Sequence, residues 1–304
     1  LKEKAIIIKQ GALGDVLRTT SILRRTDWEV TWIVDKAGLP LVEGNPRIHR
    51  SLTLGQAEGL KSEHFNLVLS LDDDPESLAF ASALTSERLI GAFLSDGVAA
   101  YSEESAGWFD MGLISRLGLA RANEMKVQNV KPYQEYLFEM VGLQFRGEEY
   151  MLPEKFNANN DRSLPLVVGI EARAGARWPL KKWDKYPELH LELQAKGFEV
   201  KEFEQKEQLS DYIEDINATD VVVTGDTLAM HVALALGKQV VAIFGPTPSE
   251  EIYGYGRLRK VVSPLDCIKC YKRHCDYMPN CMQSIPVERV MRAVEEGARA
   301  VGNG

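Results

Sequence analysis

A short aliphatic run, a glycine turn and a stretch of helical periodicity follow one another along this chain, and past the midpoint the cycle begins again. Ala5–Lys9 leads through Gly11-Ala12-Leu13-Gly14-Asp15 into a segment that repeats apolar or small residues at Val16, Leu17, Thr20 and Leu23. Glu29–Val34 and Phe65–Leu71 read as further strands, and Glu76–Leu84 and Pro132–Val141 as helices. Strands alternating with helical stretches build βαβ units and a parallel sheet. The second cycle has strands at Leu164–Ile170, Phe198–Phe203, Asp220–Thr224 and Val240–Phe244. Its helices are Lys185–Lys196 (closed by Gly197), Leu209–Asn217, Thr227–Leu236 and Val287–Ala300. At 304 residues the chain is long enough for two cores. The expectation is an α/β protein of two doubly wound, Rossmann-like domains, 1–155 and 156–304. They would join near Pro153–Pro165, where Asn157-Ala158-Asn159-Asn160-Asp161 is polar and unpatterned. Such sheets bind ligands at the carboxyl ends of their strands, which predicts a substrate lying between the domains.

Lys and Arg number 36 against 44 Asp and Glu, a net charge of −8. A protein that grips a nucleic-acid backbone over a wide surface is usually basic, so nucleic acid is not an expected partner. No apolar run approaches the ~20 residues of a bilayer span. Ala5–Ile8 is too short for a signal peptide, and the expected location is cytoplasmic.

Several segments pair a chemical reading with a plainer one. Gly11–Asp15 lies between a strand and a helix, as in a dinucleotide fingerprint with Asp35 at the end of the next strand, but the middle glycine of G-x-G-x-x-G is missing. Asp15 is either a helix-dipole partner or a general base at the crevice. Asp72-Asp73-Asp74 suits a divalent cation on a diphosphate, yet the favoured reading is a solvated acidic turn before Pro75. Arg173, Arg177, Lys181 and Lys182 gather cations after one strand, suited to an anion or simply to solvent. At Thr224-Gly225-Asp226-Thr227-Leu228-Ala229-Met230-His231 a buried strand meets a helix N-terminus, whose unpaired N–H groups suit a diphosphate. Asp226 and Thr227 are also ordinary capping residues, and His231 is equally a core histidine. Cys267, Cys270, Cys275 and Cys281, the chain's four cysteines, are spaced for a tetrahedral thiolate site or stand as free thiols.

Together these motifs resemble glycosyltransferase family 9, the ADP-heptose:lipopolysaccharide heptosyltransferases and their relatives. The resemblance rests on Ile6-Ile7-Ile8-Lys9 with Gly11–Leu17, on Gly175-Ala176-Arg177-Trp178-Pro179 with Lys181-Lys182-Trp183, and on Asp226-Thr227 with Met230-His231. It extends through Phe244-Gly245-Pro246-Thr247 and Tyr253-Gly254-Tyr255-Gly256 to Cys281-Met282. It implies a GT-B architecture with an acceptor-side N-terminal domain, a donor-side C-terminal domain and a central cleft. It also implies an inverting, metal-independent transfer of a sugar, heptose foremost, from a nucleotide-diphospho-sugar. ADP-heptose is the first expectation for the donor, and a lipopolysaccharide-type or other glycan for the acceptor. A lipid-linked acceptor would add transient contact with the inner membrane face.

Carried over by position, Asp15 is the base, beside the acceptor-side loop Gly11, Ala12, Leu13 and Gly14. Lys181 stabilises the departing diphosphate. Arg177, Lys182, Gly225, Asp226, Thr227, Leu228, Ala229 and His231 bind the donor, with Glu204 or Glu207 as the donor glutamate. No cofactor is implied for catalysis, and a structural zinc or iron at the cysteines of the 267–281 loop is the one metal expectation. The chain departs from the family pattern at Leu228, where glycine is usual, at Asp184, where proline is usual, and in a shorter Phe203–Asp220 segment. Two other functions remain open: a nicotinamide-dependent oxidoreductase using Gly11–Gly14 and Asp35, and a non-catalytic sugar-nucleotide-binding protein.

Overall fold

The computed structural model describes residues 2–111, 117–157, 165–176 and 178–302. The chain divides into two compact units, Leu1–Lys155 and Phe156–Gly304. Part of the polar joining segment, 158–164, lies outside the described residues.

The first unit runs β1 (Lys4–Ile8), α1 (Leu13–Thr19), β2 (Glu29–Ile33), α2 (Leu39–Val42), β3 (Ile48–Leu52), β4 (His64–Ser70) and α3 (Pro75–Ala83). It continues with β5 (Thr85–Ser95), β6 (Val98–Tyr101), α4 (Ala106–Asp110), α5 (Leu119–Gln128) and α6 (Tyr133–Met140). Its sheet has the order β3-β2-β1-β4-β5-β6. All pairings are parallel except the β5–β6 hairpin. Ile6, Ile7 and Ile8 are all fully buried, which is why β1 reads as an unbroken aliphatic run. A parallel strand covered on both faces has no polar side to alternate with. Where β4 meets β5, Gly91 (φ 118°) faces Ser70, and a Cβ there would fall 1.8 Å from the Ser70 carbonyl oxygen.

The second unit runs β7 (Val167–Glu171), α7 (Tyr186–Ala195), β8 (Glu199–Glu202), α8 (Leu209–Asn217), β9 (Val221–Gly225), α9 (Leu228–Ala235), β10 (Gln239–Phe244), β11 (Leu258–Val262) and α10 (Val287–Gly302). Its strands are ordered β11-β10-β9-β7-β8, all parallel. The core beneath α7 and α10 joins Val168, Ile170, Leu189, Val223, Ile243, Val290 and Val294.

Both sheets are doubly wound, as expected. Each has one place where the winding reverses, between β1 and β4 in the first and between β7 and β9 in the second. Open α/β sheets form their ligand crevice outside the carboxyl ends of the strands at such a point. Among the described residues no helix is long and apolar enough to cross a membrane.

Candidate active site

In the first unit the reversal point is formed by the loop after β1. Ala12, not a glycine, takes the left-handed conformation (φ 53°) that turns the chain into α1. The Asp15 and Val16 N–H groups then donate to the Ala12 carbonyl at 2.6 and 3.1 Å. Asp15 therefore stands in the first turn of α1, half-buried, and its carboxylate pairs with the Arg18 guanidinium one turn on. The Arg18 guanidinium carbon sits over the Tyr133 ring, 3.9 Å from its centroid. Tyr133 is held in turn by Trp108, edge-on at 4.3 Å, and by a 2.9 Å hydrogen bond with the Thr19 hydroxyl. Burial pushes the Tyr133 phenol well above its ordinary value, reinforced by the nearby Asp15 charge, so it stays neutral. Gly11, Leu13 and Gly14 are half-buried and Ala12 is exposed at the same rim.

The acidic triplet after β4 is not the solvated turn expected of it. Asp72 pairs with the buried Lys9 ammonium and accepts the Gln10 N–H at 2.5 Å, tying the end of β4 to the end of β1. Burial raises the Asp72 carboxyl above its usual range despite Lys9. Asp73 accepts from the Tyr101 hydroxyl at 3.3 Å. Asp74 caps α3 through the Glu76 and Ser77 N–H groups, each at 3.1 Å. Each of the three half-buried acids thus has a structural partner.

In the second unit β9 ends at Gly225, and the next three residues, Asp226, Thr227 and Leu228, are half-buried at the mouth of α9. Lys181 arrives from the neighbouring strand end. Its loop closes in a tight turn at Pro179–Lys181, and the following Trp183 is fully buried with its indole N–H on the Ile285 carbonyl at 3.1 Å. That anchor presents the Lys181 ammonium to the Asp226 carboxylate at 2.6 Å and to its carbonyl at 3.2 Å. Thr227 is the N-cap residue of α9 but makes no side-chain cap; its hydroxyl meets that of Thr224 at 2.8 Å. Side-chain capping therefore does not account for Thr227. Ala229 and His231 are buried within α9, which favours the core reading of His231. Lys182, Glu204 and Glu207 are exposed, the glutamates on the loop after β8, while Arg177 lies outside the described residues.

Glu171, buried at the end of β7, completes this rim. It accepts two hydrogen bonds from the Arg173 guanidinium, at 2.8 and 2.5 Å, and one from the Tyr212 hydroxyl at 2.5 Å. Burial, with Glu171 close by, pushes the Tyr212 phenol above its ordinary value.

The cysteine loop is laced to the turn after β10. Lys269 and Tyr271 donate their backbone N–H groups to the Gly245 and Pro246 carbonyls at 2.9 Å, and the Tyr271 hydroxyl meets Glu251 at 2.8 Å. Cys267 is exposed, Cys270 and Cys275 are intermediate and Cys281 is buried. Burial, aided by the neighbouring Cys270, Cys275 and Cys267, pushes the Cys281 thiol up to about 11. Among the described residues no three His, Cys, Asp or Glu side chains converge as a set able to hold a metal ion. As placed, the four thiols do not form the closed tetrahedral shell of a structural zinc site.

Arg18, Tyr133, Glu171 and Tyr212 were not singled out from sequence. Arg18 carries one usable signal, its i,i+3 spacing from Asp15 on a helix; Tyr133 and Tyr212 carry none, because their contacts are long-range.

Residues 205–280 match glycosyltransferase family 9 (heptosyltransferase). No curated protein matches by sequence. The fold is similar over nearly its whole length to a family 9 glycosyl transferase from Veillonella parvula, with TM-score 0.67, 14% identity, and 97% of this chain and 96% of that one covered. It is similar to the E. coli heptosyltransferase WaaC with ADP-2-deoxy-2-fluoro heptose, at TM-score 0.64, 15% identity and 96% and 99% coverage. It is also similar to the iron-containing dodecameric glycosyltransferase TibC of enterotoxigenic E. coli, at TM-score 0.62, 13% identity and 99% and 78% coverage. The chain thus has the α/β fold of GT-B glycosyltransferases, and within it residues 205–280 are similar to the heptosyltransferase family.

Proposed function

From this fold and the family 9 match over residues 205–280, we propose an inverting glycosyltransferase that moves a sugar, heptose first, from a nucleotide-diphospho-sugar to a hydroxyl of a glycan or lipid-linked acceptor. The observation that carries the reading is the Lys181 ammonium held 2.6 Å from Asp226 at the start of α9, on the reversal point of the second sheet. A cation beside unpaired helix N–H groups is a ready place for a departing diphosphate. Asp15, at the reversal point of the first sheet, takes the proton of the acceptor hydroxyl. The acceptor oxygen then bonds to the anomeric carbon from the face opposite the diphosphate, and the carbon–oxygen bond to the diphosphate breaks with its electron pair on the leaving group. Gly225, Thr227, Leu228 and Ala229 shape the donor pocket, and Lys182, Arg177 and either Glu204 or Glu207 complete it. On this reading the first unit is the acceptor side and the second the donor side.

Asp72, Asp73 and Asp74 are already engaged in holding the fold, so the proposal assigns no divalent ion to them. The zinc-or-iron expectation for the cysteine loop stays apart from catalysis. Elemental analysis finding about one metal per chain would support it, and metal-free protein of full stability would discard it.

The test is a thermal-shift screen of ADP-heptose, ADP, GDP, UDP and NAD, followed by measurement of nucleoside diphosphate release with candidate acceptors. Stabilisation by ADP-heptose with ADP release supports the proposal. Stabilisation by NAD alone overturns it.

A further inference from the structure

In the Asp15–Arg18 pair the acid faces outward and the cation inward: the Asp15 side chain is 32% exposed, whereas that of Arg18 is only 9% exposed. A buried guanidinium is tolerable only when its charge is matched. Burial works against that charge, but Asp15, Tyr133 and Tyr150 around it hold Arg18 protonated above its ordinary value. Interaction between two charges is mutual, so Arg18 favours the ionised form of Asp15 to the same extent. Among the described residues, titratable groups near the pair include Tyr133 from α6, Tyr150 beyond it, Asp72 with its Lys9 partner after β4, and Asp35 after β2, near Gly11. Neutral Tyr133 also fixes the backbone, its hydroxyl lying 3.4 Å from the Asp15 carbonyl, which accepts from Thr19 at 2.7 Å.

We propose that Arg18, stacked on Tyr133, is a positioning residue that orients the Asp15 carboxylate and keeps it ionised, while Asp15 serves in return as the counter-ion of the buried cation. The inference rests on the reading of Asp15 as the base. It gives that residue two separable duties, taking the acceptor proton and balancing Arg18. A change at Asp15 alone therefore disturbs both.

Four variants separate the duties: Asp15→Asn, Arg18→Met, Arg18→Lys and the double variant Asp15→Asn/Arg18→Met. ADP release from ADP-heptose is followed from pH 5 to 9, and melting temperature is measured on each protein. Arg18→Met is expected to lose about tenfold in kcat at neutral pH with little change in donor KM. The acidic limb of its pH profile moves upward by about one unit, and Arg18→Lys restores part of both. Asp15→Asn melts below the wild type because the buried Arg18 charge loses the carboxylate it pairs with, and the double variant melts above Asp15→Asn. A folded Arg18→Met protein with the wild-type pH profile, or a double variant melting no higher than Asp15→Asn, overturns the role of Arg18. Full turnover by Asp15→Asn overturns instead the reading of Asp15 as base.

Discussion

Where the first sheet reverses its winding, the Asp15–Arg18 pair turns its carboxylate outward, 32% exposed, and buries its guanidinium, 9% exposed. Where the second sheet reverses, the Glu171–Arg173 pair does the opposite: the acid is 4% exposed and the cation 42%. Lys181 and Asp226, at 15% and 21%, lie between these extremes. One topology is thus used twice with inverted polarity. The first crevice presents an outward carboxylate and the second an outward guanidinium, which on the proposed reading serve to take a proton and to attract an anion. A transfer reaction that deprotonates a nucleophile and releases a diphosphate calls for that division.

The comparison can be broken most sharply at Asp15. Asp15→Asn should lower turnover by about 10²–10⁴-fold while the thermal shift produced by ADP-heptose persists; a matching loss of that shift would mean that the two crevices do not divide the work. Lys181→Ala should cost about 10²–10³ in kcat and weaken the donor's thermal shift as well. Undiminished ADP release from that variant would remove the cationic crevice from the mechanism. At Glu171, replacement by alanine leaves the Tyr212 hydroxyl without its acceptor and Arg173 without its buried anchor. Denaturant unfolding should register a loss of about 1–3 kcal/mol, and an unchanged midpoint would show that the rim cation needs no support.

The smallest effect belongs to a pair away from both crevices, Arg50 with Glu63, about a third exposed on each side. Its hydrogen bond to Arg50 lowers the Glu63 carboxyl below its usual 4.5. The stabilisation is therefore complete above that value and disappears as pH falls below it. Glu63→Gln should cost about 0.5 kcal/mol at pH 7 and less at pH 3, measured by unfolding at both values.

The buried centre of each sheet was legible because strands covered on both faces are aliphatic throughout. Ala5–Lys9, Glu29–Val34 and Val240–Phe244 each fall within a residue or so of β1, β2 and β10. Of the flanking strands, β8 falls within the expected Phe198–Phe203, but β3, β5 and β11 were not legible. β3 (Ile-His-Arg-Ser-Leu) and β11 (Leu-Arg-Lys-Val-Val) are edges with a solvated side, and β5 opens on Thr-Ser-Glu-Arg, so none shows a continuous apolar run. The same distinction runs through the rims. Asp15 and Asp226 announce themselves by lying next to glycine turns at strand ends, and Lys181 by its place in a cluster of cations after a strand. The partners that decide how those groups behave arrive from far along the chain, as Tyr133 reaches Arg18 and Tyr212 reaches Glu171, and no local pattern encodes them.

Gly91 carries a consequence for mutational scanning. Any side chain there would meet the Ser70 carbonyl, two residues before the Asp72 that anchors Lys9. A scan for lost activity would score this position as severely as Asp15, although it sits in mid-sheet and handles no substrate. Hits at Gly91 should therefore be sorted by whether the protein still accumulates in the cell before they are counted toward chemistry.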